Sequence, residues 1–271
     1  MQKKLHLPGT VLCVLIMGIC SGPIQAQQVQ TQLTDPPDAP GVAASRPADA
    51  PLPGAKELLA KNDEAVGGME AWSKSTTRKM KGVYQTEDNS MFLAIEILQK
   101  SPNKSLSKLT LPNGVSVREV CDGQNAWIET SLGGYQAFTG AALASRLRMA
   151  QFQDRKKLEA VAATGKVLGT EKVGAHNTYV LEFSIDKNLQ SRLYFDADSG
   201  LVVRSIDTVA TADGPYTVKL DLDDYREVDG LKFPFRIKRT EKGAVMNIRL
   251  TQVVLNPAID DSTFFKPEFA K

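Results

Sequence analysis

The sequence predicts an α+β domain built on one long, curling antiparallel sheet with two helical segments. Three observations lead there. Short stretches of period-two alternation recur from Lys79 onward. Corners such as Asp122-Gly123, Asp198-Ser199-Gly200, Asp213-Gly214 and Asp229-Gly230 separate them with turn chemistry. Helical spacing of apolar residues is confined to two places.

The first of these is Ala55 to Lys74, where Leu58, Leu59, Val66, Met69 and Trp72 repeat at helical intervals and Gly67-Gly68 is a weak point. The second is Ala141 to Ala163, with Leu143, Leu147, Met149, Ala150, Phe152 and Leu158 on one side. Between them lie strand patterns at Lys79 to Glu87, Met91 to Lys100, Ser105 to Leu111, Val115 to Val120 and Ala126 to Thr130. After the second helix they resume at Val167 to Lys172, Thr178 to Ile185, Ser191 to Asp196, Leu201 to Asp207, Tyr216 to Asp223, Phe233 to Thr240 and Val245 to Asn256. This is a meander of about eleven or twelve strands, too long to stay flat. Some strands are apolar on both faces, as Leu93, Ile95 and Ile97 are against Phe92, Ala94 and Leu98. Helices on one face with neighbours on the other would explain that, and so would a greasy inner cavity. Alternation leaves both open.

The ends set the compartment. Lys3 and Lys4, an apolar run from Val11 to Ile19, Gly22-Pro23 and then Ile24-Gln25-Ala26 form a secretory signal over residues 1–26, too short to span a bilayer. Cys20 also suits a lipid-bearing cysteine, but Ile19 stands where that chemistry takes a small residue. The chain has 33 basic and 31 acidic residues, and Lys3 and Lys4 are the only charged residues of the signal, so the exported chain is near neutral. Such a balance argues against nucleic acid and acidic membrane surfaces as partners. Cys13 and Cys20 leave with the signal. Cys121 then stands alone in an oxidising compartment, expected as a buried small apolar residue. Residues 27–54 hold six prolines and almost no large apolar side chains, which predicts a disordered linker. Residues 55–271 are the folding domain, with no integral membrane segment expected after the signal.

Catalytic groupings are sparse. His176 is the one imidazole left after the signal, and Gly174-Ala175-His176-Asn177 reads as a hairpin turn. No nucleophile elbow, paired metal-binding histidines, phosphate-cradling glycine loop or Cys-x-x-Cys occurs, so the chain is expected to be no enzyme and to need no cofactor or metal. A calcium loop opening at Asp196 would need Gly sixth and Glu twelfth, where Leu201 and Asp207 stand. Arg155-Lys156-Lys157 lacks interleaved aromatics and reads as a polar helix face.

Taken in order, Lys100-Ser101-Pro102-Asn103, Asp122-Gly123-Gln124-Asn125-Ala126-Trp127, Tyr194-Phe195-Asp196-Ala197-Asp198-Ser199-Gly200-Leu201, Tyr225 to Pro234 and the ending Val253 to Phe265 resemble the LolA/LolB-like superfamily of periplasmic lipoprotein carriers and outer-membrane lipoprotein-sorting proteins. The resemblance implies an incomplete β-barrel lidded by helices around a hydrophobic cavity for acyl chains. It also implies a periplasmic, non-enzymatic carrier of lipid or lipoprotein acyl groups in a Gram-negative-type bacterium. A sensing or interaction domain of the same fold, engaging an envelope protein partner, is the competing expectation. Leu93, Ile95, Trp127, Leu181, Phe183, Phe195, Leu220 and Phe235 are expected to line the cavity, as large apolar strand residues. Met69 and Trp72 are expected at the lid. The chain departs from the family at Ser101 and Ser105, where the carriers have a lid-binding Arg and an aromatic, and the side chain of Lys100 should point to the other strand face.

Overall fold

Gly67 and Gly68 take φ of 110° and 81°, which L side chains rarely adopt, so the opening helix stops there. Two helices result, α1 (Ala55–Ala65) and α2 (Met69–Lys74). The close approach of Gly67 to the Gly230 carbonyl, where a Cβ would lie 2.2 Å from the oxygen, seats the break on a strand turn. The computed structural model describes residues 51–88, 90–152, 160–210 and 214–266. The signal, nearly all of the Pro-rich linker, Arg155-Lys156-Lys157 and Asp213 lie outside the described residues.

The alternating segments form β1 (Thr77–Thr86), β2 (Phe92–Lys100), β3 (Lys104–Thr110), β4 (Ser116–Cys121), β5 (Ala126–Thr130) and β6 (Tyr135–Ala137). Helix α3 (Gly140–Met149) follows, then β7 (Lys166–Val173), β8 (His176–Asp186), β9 (Leu189–Asp196), β10 (Val202–Val209), β11 (Tyr216–Val228), β12 (Leu231–Glu241) and β13 (Ala244–Leu255). All 13 strands belong to one curled, unclosed antiparallel sheet. Its order is two meanders, β6 back to β1 and β13 back to β7, joined where β1 pairs with β13. That join includes a bulge at Lys81/Gly82, where a Cβ on Gly82 would meet the Arg249 carbonyl at 2.3 Å. The free edges are β6 and β7, so the gap in the barrel is bridged by the segment that carries α3.

The count exceeds expectation by β6, a strand of three residues after Gly133-Gly134, too short for periodicity to register. The second helix is also shorter than Ala141 to Ala163. It ends at Met149; residues 160–162 are helical again, and the stretch between 152 and 160, with the expected Leu158, lies outside the described residues. Tertiary contacts end it: the Phe152 N–H donates to the Pro102 carbonyl at 2.9 Å, and the Phe152 ring lies 5.2 Å from the Arg78 guanidinium.

Residues directly opposite in an antiparallel pair share a face, so the register sorts the sheet into two sides. On the inner side, Met80, Tyr84, Leu93, Ile95, Ile97, Leu109, Phe233, Phe235, Ile237, Met246, Ile248 and Leu250 form the main core, against which Trp72 of α2 packs. Leu181, Phe183 and Phe195 form a second core under Leu58 of α1 and Ala162. Leu143 and Leu147 of α3 cover Cys121 and Ala126 on the same side. Cys121 is indeed buried, and burial raises its thiol pKa, which suits an unreactive core residue. The outer side carries two apolar clusters: over β3 to β5 the C-terminal segment lays Phe264 on Leu106, Val120 and Trp127, and over β7 to β10 Val173, Val180, Tyr194 and Val203 pack together.

Candidate functional site on the inner face

The helices that cover the inner face are fastened at turns. Lys61 Nζ donates to the Ala197 carbonyl at 2.6 Å and Asn62 Nδ2 to the Gly200 carbonyl at 2.9 Å, which docks α1 on the β9–β10 corner. Asp196 builds that corner: its Oδ1 accepts from the Ser199 N–H at 2.7 Å and hydroxyl at 2.6 Å, and its Oδ2 faces His176 Nδ1 at 2.8 Å. Burial works to raise the Asp196 pKa, but Ser199 and His176 outweigh it and hold the carboxyl below the ordinary aspartate value. His176 thus opens β8 beside a turn with its side chain half exposed, as a partner of Asp196. A carboxyl with a depressed folded pKa stabilises above its unfolded value of about 3.9, and that contribution is lost as pH falls through the folded value. Asp196→Ala is expected to cost about 1–3 kcal/mol at pH 7. In urea melts the gap from wild type should narrow at pH 3; an equal gap at both pH values contradicts this role.

Helix α2 is held by Arg78, whose guanidinium donates to Gln99 Oε1 from Nε at 2.9 Å and Nη2 at 2.7 Å. The same group lies 5.6 Å from the Trp72 ring, 5.2 Å from Phe152 and 5.5 Å from Phe233. A cation from β1 therefore meets α2 and the exit of α3, while Ser101 sits in the β2–β3 turn. Lys100 does point to the other face, where Nζ reaches the Ile259 carbonyl at 2.7 Å and Asp261 at 2.9 Å. Helix α3 carries Arg146, 4% exposed, 3.6 Å from Glu119 of β4, and Arg148, 3.7 Å from Asp186 of β8, so it ties one meander to the other. Burial raises the Glu119 pKa despite the neighbouring guanidinium.

Of the expected lining residues, Leu93, Ile95 and Phe235 meet in the main inner core, with Leu220 at its margin. Leu181, Phe183 and Phe195 meet in the second, under α1. Trp127 does not join them. It pairs in register with Val120, which pairs with Leu106, and this row belongs to the outer side under Phe264. Trp72 packs edge-on to Phe233 with ring centroids 5.2 Å apart, while Met69 is half buried with its N–H accepted by Asp63 at 3.0 Å.

Between the two inner cores runs a seam of half-buried residues, Leu193 opposite Ser205, Ser205 opposite Leu220, and Leu222. Its flanks are buried to a few per cent, so the helical cover is thinnest here. One end of the seam is a buried polar group. Arg239 is 0% exposed and its Nη2 donates to Glu241 Oε2 at 2.5 Å; nearby the Ser191 hydroxyl donates to Asp207 Oδ1 at 2.7 Å. Burial raises the Asp207 pKa against the pull of Ser191 and Arg239, and Tyr84, whose hydroxyl meets Met246 Sδ, is raised by burial as well. Sequence reasoning passed over these groups, although Phe233, Phe235, Ile237, Arg239 and Glu241 follow one another at strand period on β12. Among the described residues, no set of three or more His, Cys, Asp or Glu could hold a metal ion, and no helix is long and apolar enough to cross a membrane.

No family model and no curated protein sequence matches the chain. Solved structures do. A LolA superfamily protein from Nitrosomonas europaea, 17% identical, aligns over 79% of this chain and 99% of its own with a TM-score of 0.50. The fold is LolA-like. A DUF1329 family protein from Desulfovibrio piger aligns over 78% of this chain and 95% of its own, at 12% identity and a TM-score of 0.53. An outer-membrane lipoprotein-sorting protein domain from Vibrio parahaemolyticus aligns over 77% and 95%, at 11% and 0.52. At these identities the likeness is one of architecture, and the LolA-like sheet of this chain carries its own set of inner-face residues.

Proposed function

We propose that this protein binds the acyl chain of a lipid or lipoprotein on its inner face and carries it through the periplasm, exported there by residues 1–26. The observation that carries the reading is the mismatch between a broad apolar inner face and its light cover. Residues from strands of both meanders line that face, while α1 buries only Leu58 fully and α2 buries no residue fully. Such helices bury few side chains fully, so they can part from the sheet at modest cost. The LolA-like architecture supports the same reading.

Physical need and supply agree. Each methylene left in water costs about 0.8 kcal/mol, so burying a chain of about sixteen carbons gains at most roughly 12 kcal/mol before ordering costs. Half-buried Leu220 and Leu222 are where that chain would enter the seam. Native mass spectrometry of protein gently released from its own periplasm should show acyl-bearing mass. Leu222→Asp should abolish that mass with the fold intact by circular dichroism. Wild-type protein without acyl mass, in a stable complex with an envelope protein, would overturn the carrier reading in favour of an interaction domain.

A further inference from the structure

On β11 Leu220, Leu222, Arg226 and Val228 stand opposite the inner-face residues Arg239, Ile237, Phe233 and Leu231, so this row turns from apolar to charged at Arg226, two residues past Asp224. Arg226 lies opposite Phe233 and its guanidinium sits 4.6 Å from the centre of the Phe235 ring, which places the cation at the margin of the main inner core. Asp224 holds it from below through two bonds, Nε to Oδ1 at 3.0 Å and Nη2 to Oδ2 at 2.7 Å. The backbone at Asp224 is left-handed, with φ of 53°, a conformation that aspartate tolerates better than most residues. The Arg226 side chain remains 55% exposed, and its Nη1 has no partner among the described residues.

Positive charge on the outer side of the sheet is also felt by Asp224. Arg236 pairs with Asp223 at 2.6 Å, and both Arg236 and Arg249 act with Arg226 on the Asp224 carboxyl, whose pKa is lowered with the Arg226 bond as the leading cause. Arg236, Arg249 and Asp223 pair in register on the outer side, so Arg226 is the guanidinium of this group that stands on the inner face. A structural ion pair on the surface would contribute little to stability and gives no reason to stack its cation on an aromatic ring of the inner core. An amphiphile lying in the seam, with its chain over Leu220 and Leu222, would bring its polar head to this place.

We infer that Arg226, buttressed by Asp224 and stacked on Phe235, receives the anionic head group of the acyl ligand, a carboxylate or a phosphate, at the mouth of the seam. The inference rests on the acyl-carrier reading and narrows its ligand to acidic amphiphiles. Charge-assisted bonds from a planar guanidinium to such an oxyanion are short and directional.

Displacement of a fluorescent acyl probe tests it with three ligands below their aggregation concentrations: palmitate, a palmitoyl lysophosphatidic acid and hexadecanol. Wild-type protein should bind the anions about tenfold more tightly than the alcohol. Arg226→Gln should reduce them to the level of the alcohol, leave hexadecanol affinity unchanged and melt with wild type. Preference for both anions marks a charge-reading site, and preference for the phosphate ester alone marks a phosphate head. Hexadecanol binding with no anion preference, or a preference that survives Arg226→Gln, overturns the role of Arg226 and leaves the acyl reading standing. Failure of all three ligands to bind overturns both.

Discussion

Glu241→Leu is expected to cost about 3–5 kcal/mol of folding stability, because it strips a carboxylate from a guanidinium that water cannot reach. Arg239 is 0% exposed and Glu241 accepts from its Nη2 at 2.5 Å. Asp207 also feels this guanidinium, and burial raises its pKa. Pairs of this kind often contribute little net stability against a packed apolar replacement, since both ions are desolvated on folding. The double variant Arg239→Met/Glu241→Leu should therefore recover most of what the single variant loses. Urea unfolding of the two variants measures the difference. A single-variant loss below about 1 kcal/mol would mean that the guanidinium is solvated or otherwise balanced.

Phe264→Ala should cost a similar amount, about 3–5 kcal/mol, and should free the C-terminal segment from the sheet. Phe264 is 1% exposed among Leu106, Val120 and Trp127. The polar fastenings beside it are solvated: Lys100 and Lys104 to Asp261 at 2.9 and 3.2 Å, and Arg118 Nη2 to the Thr263 carbonyl at 3.1 Å. Exposed pairs contribute little, so the aromatic ring is the anchor. Trp127 is 1% exposed beneath it and should meet water when the ring is removed. In a Trp72→Phe background, tryptophan emission should shift to the red together with the drop in urea midpoint. Unmoved emission would place the anchor elsewhere.

Much of the fold was legible because turns and alternation are local. The Asp122-Gly123 and Asp198-Ser199-Gly200 corners fall between the strands they were expected to separate, with Gly123 and Gly200 at φ of 100° and 74°. Gly67-Gly68 was readable as a weak point and is a full break. The end of α3 at Met149 was not legible, because the contacts of Phe152 with Pro102 and Arg78 come from residues far back in the chain, a distance that periodicity does not sense.

The site divides the same way. Composition identified large apolar strand residues, and seven of the eight do lie on the inner face. The eighth, Trp127, sits on β5, where Ala126, Trp127, Ile128 and Glu129 are all buried, so alternation had no contrast from which to assign a face. No motif singles out Asp224 or Arg226; only pairing with β12 sets Arg226 opposite Phe233.

By itself the sequence determined which segments are strands, where the chain turns and that the sheet is antiparallel and long, since each depends on neighbours within a few residues. The tertiary structure decided which side of each strand is inner, that β1 closes on β13, and that the gap between β6 and β7 falls to α3. A strand of period two has two equivalent faces until a helix packs on one of them. Here α1, α2 and α3 on one side and a C-terminal aromatic on the other make that choice, and with it they set the buried Arg239 and the half-exposed Arg226 on the inner face.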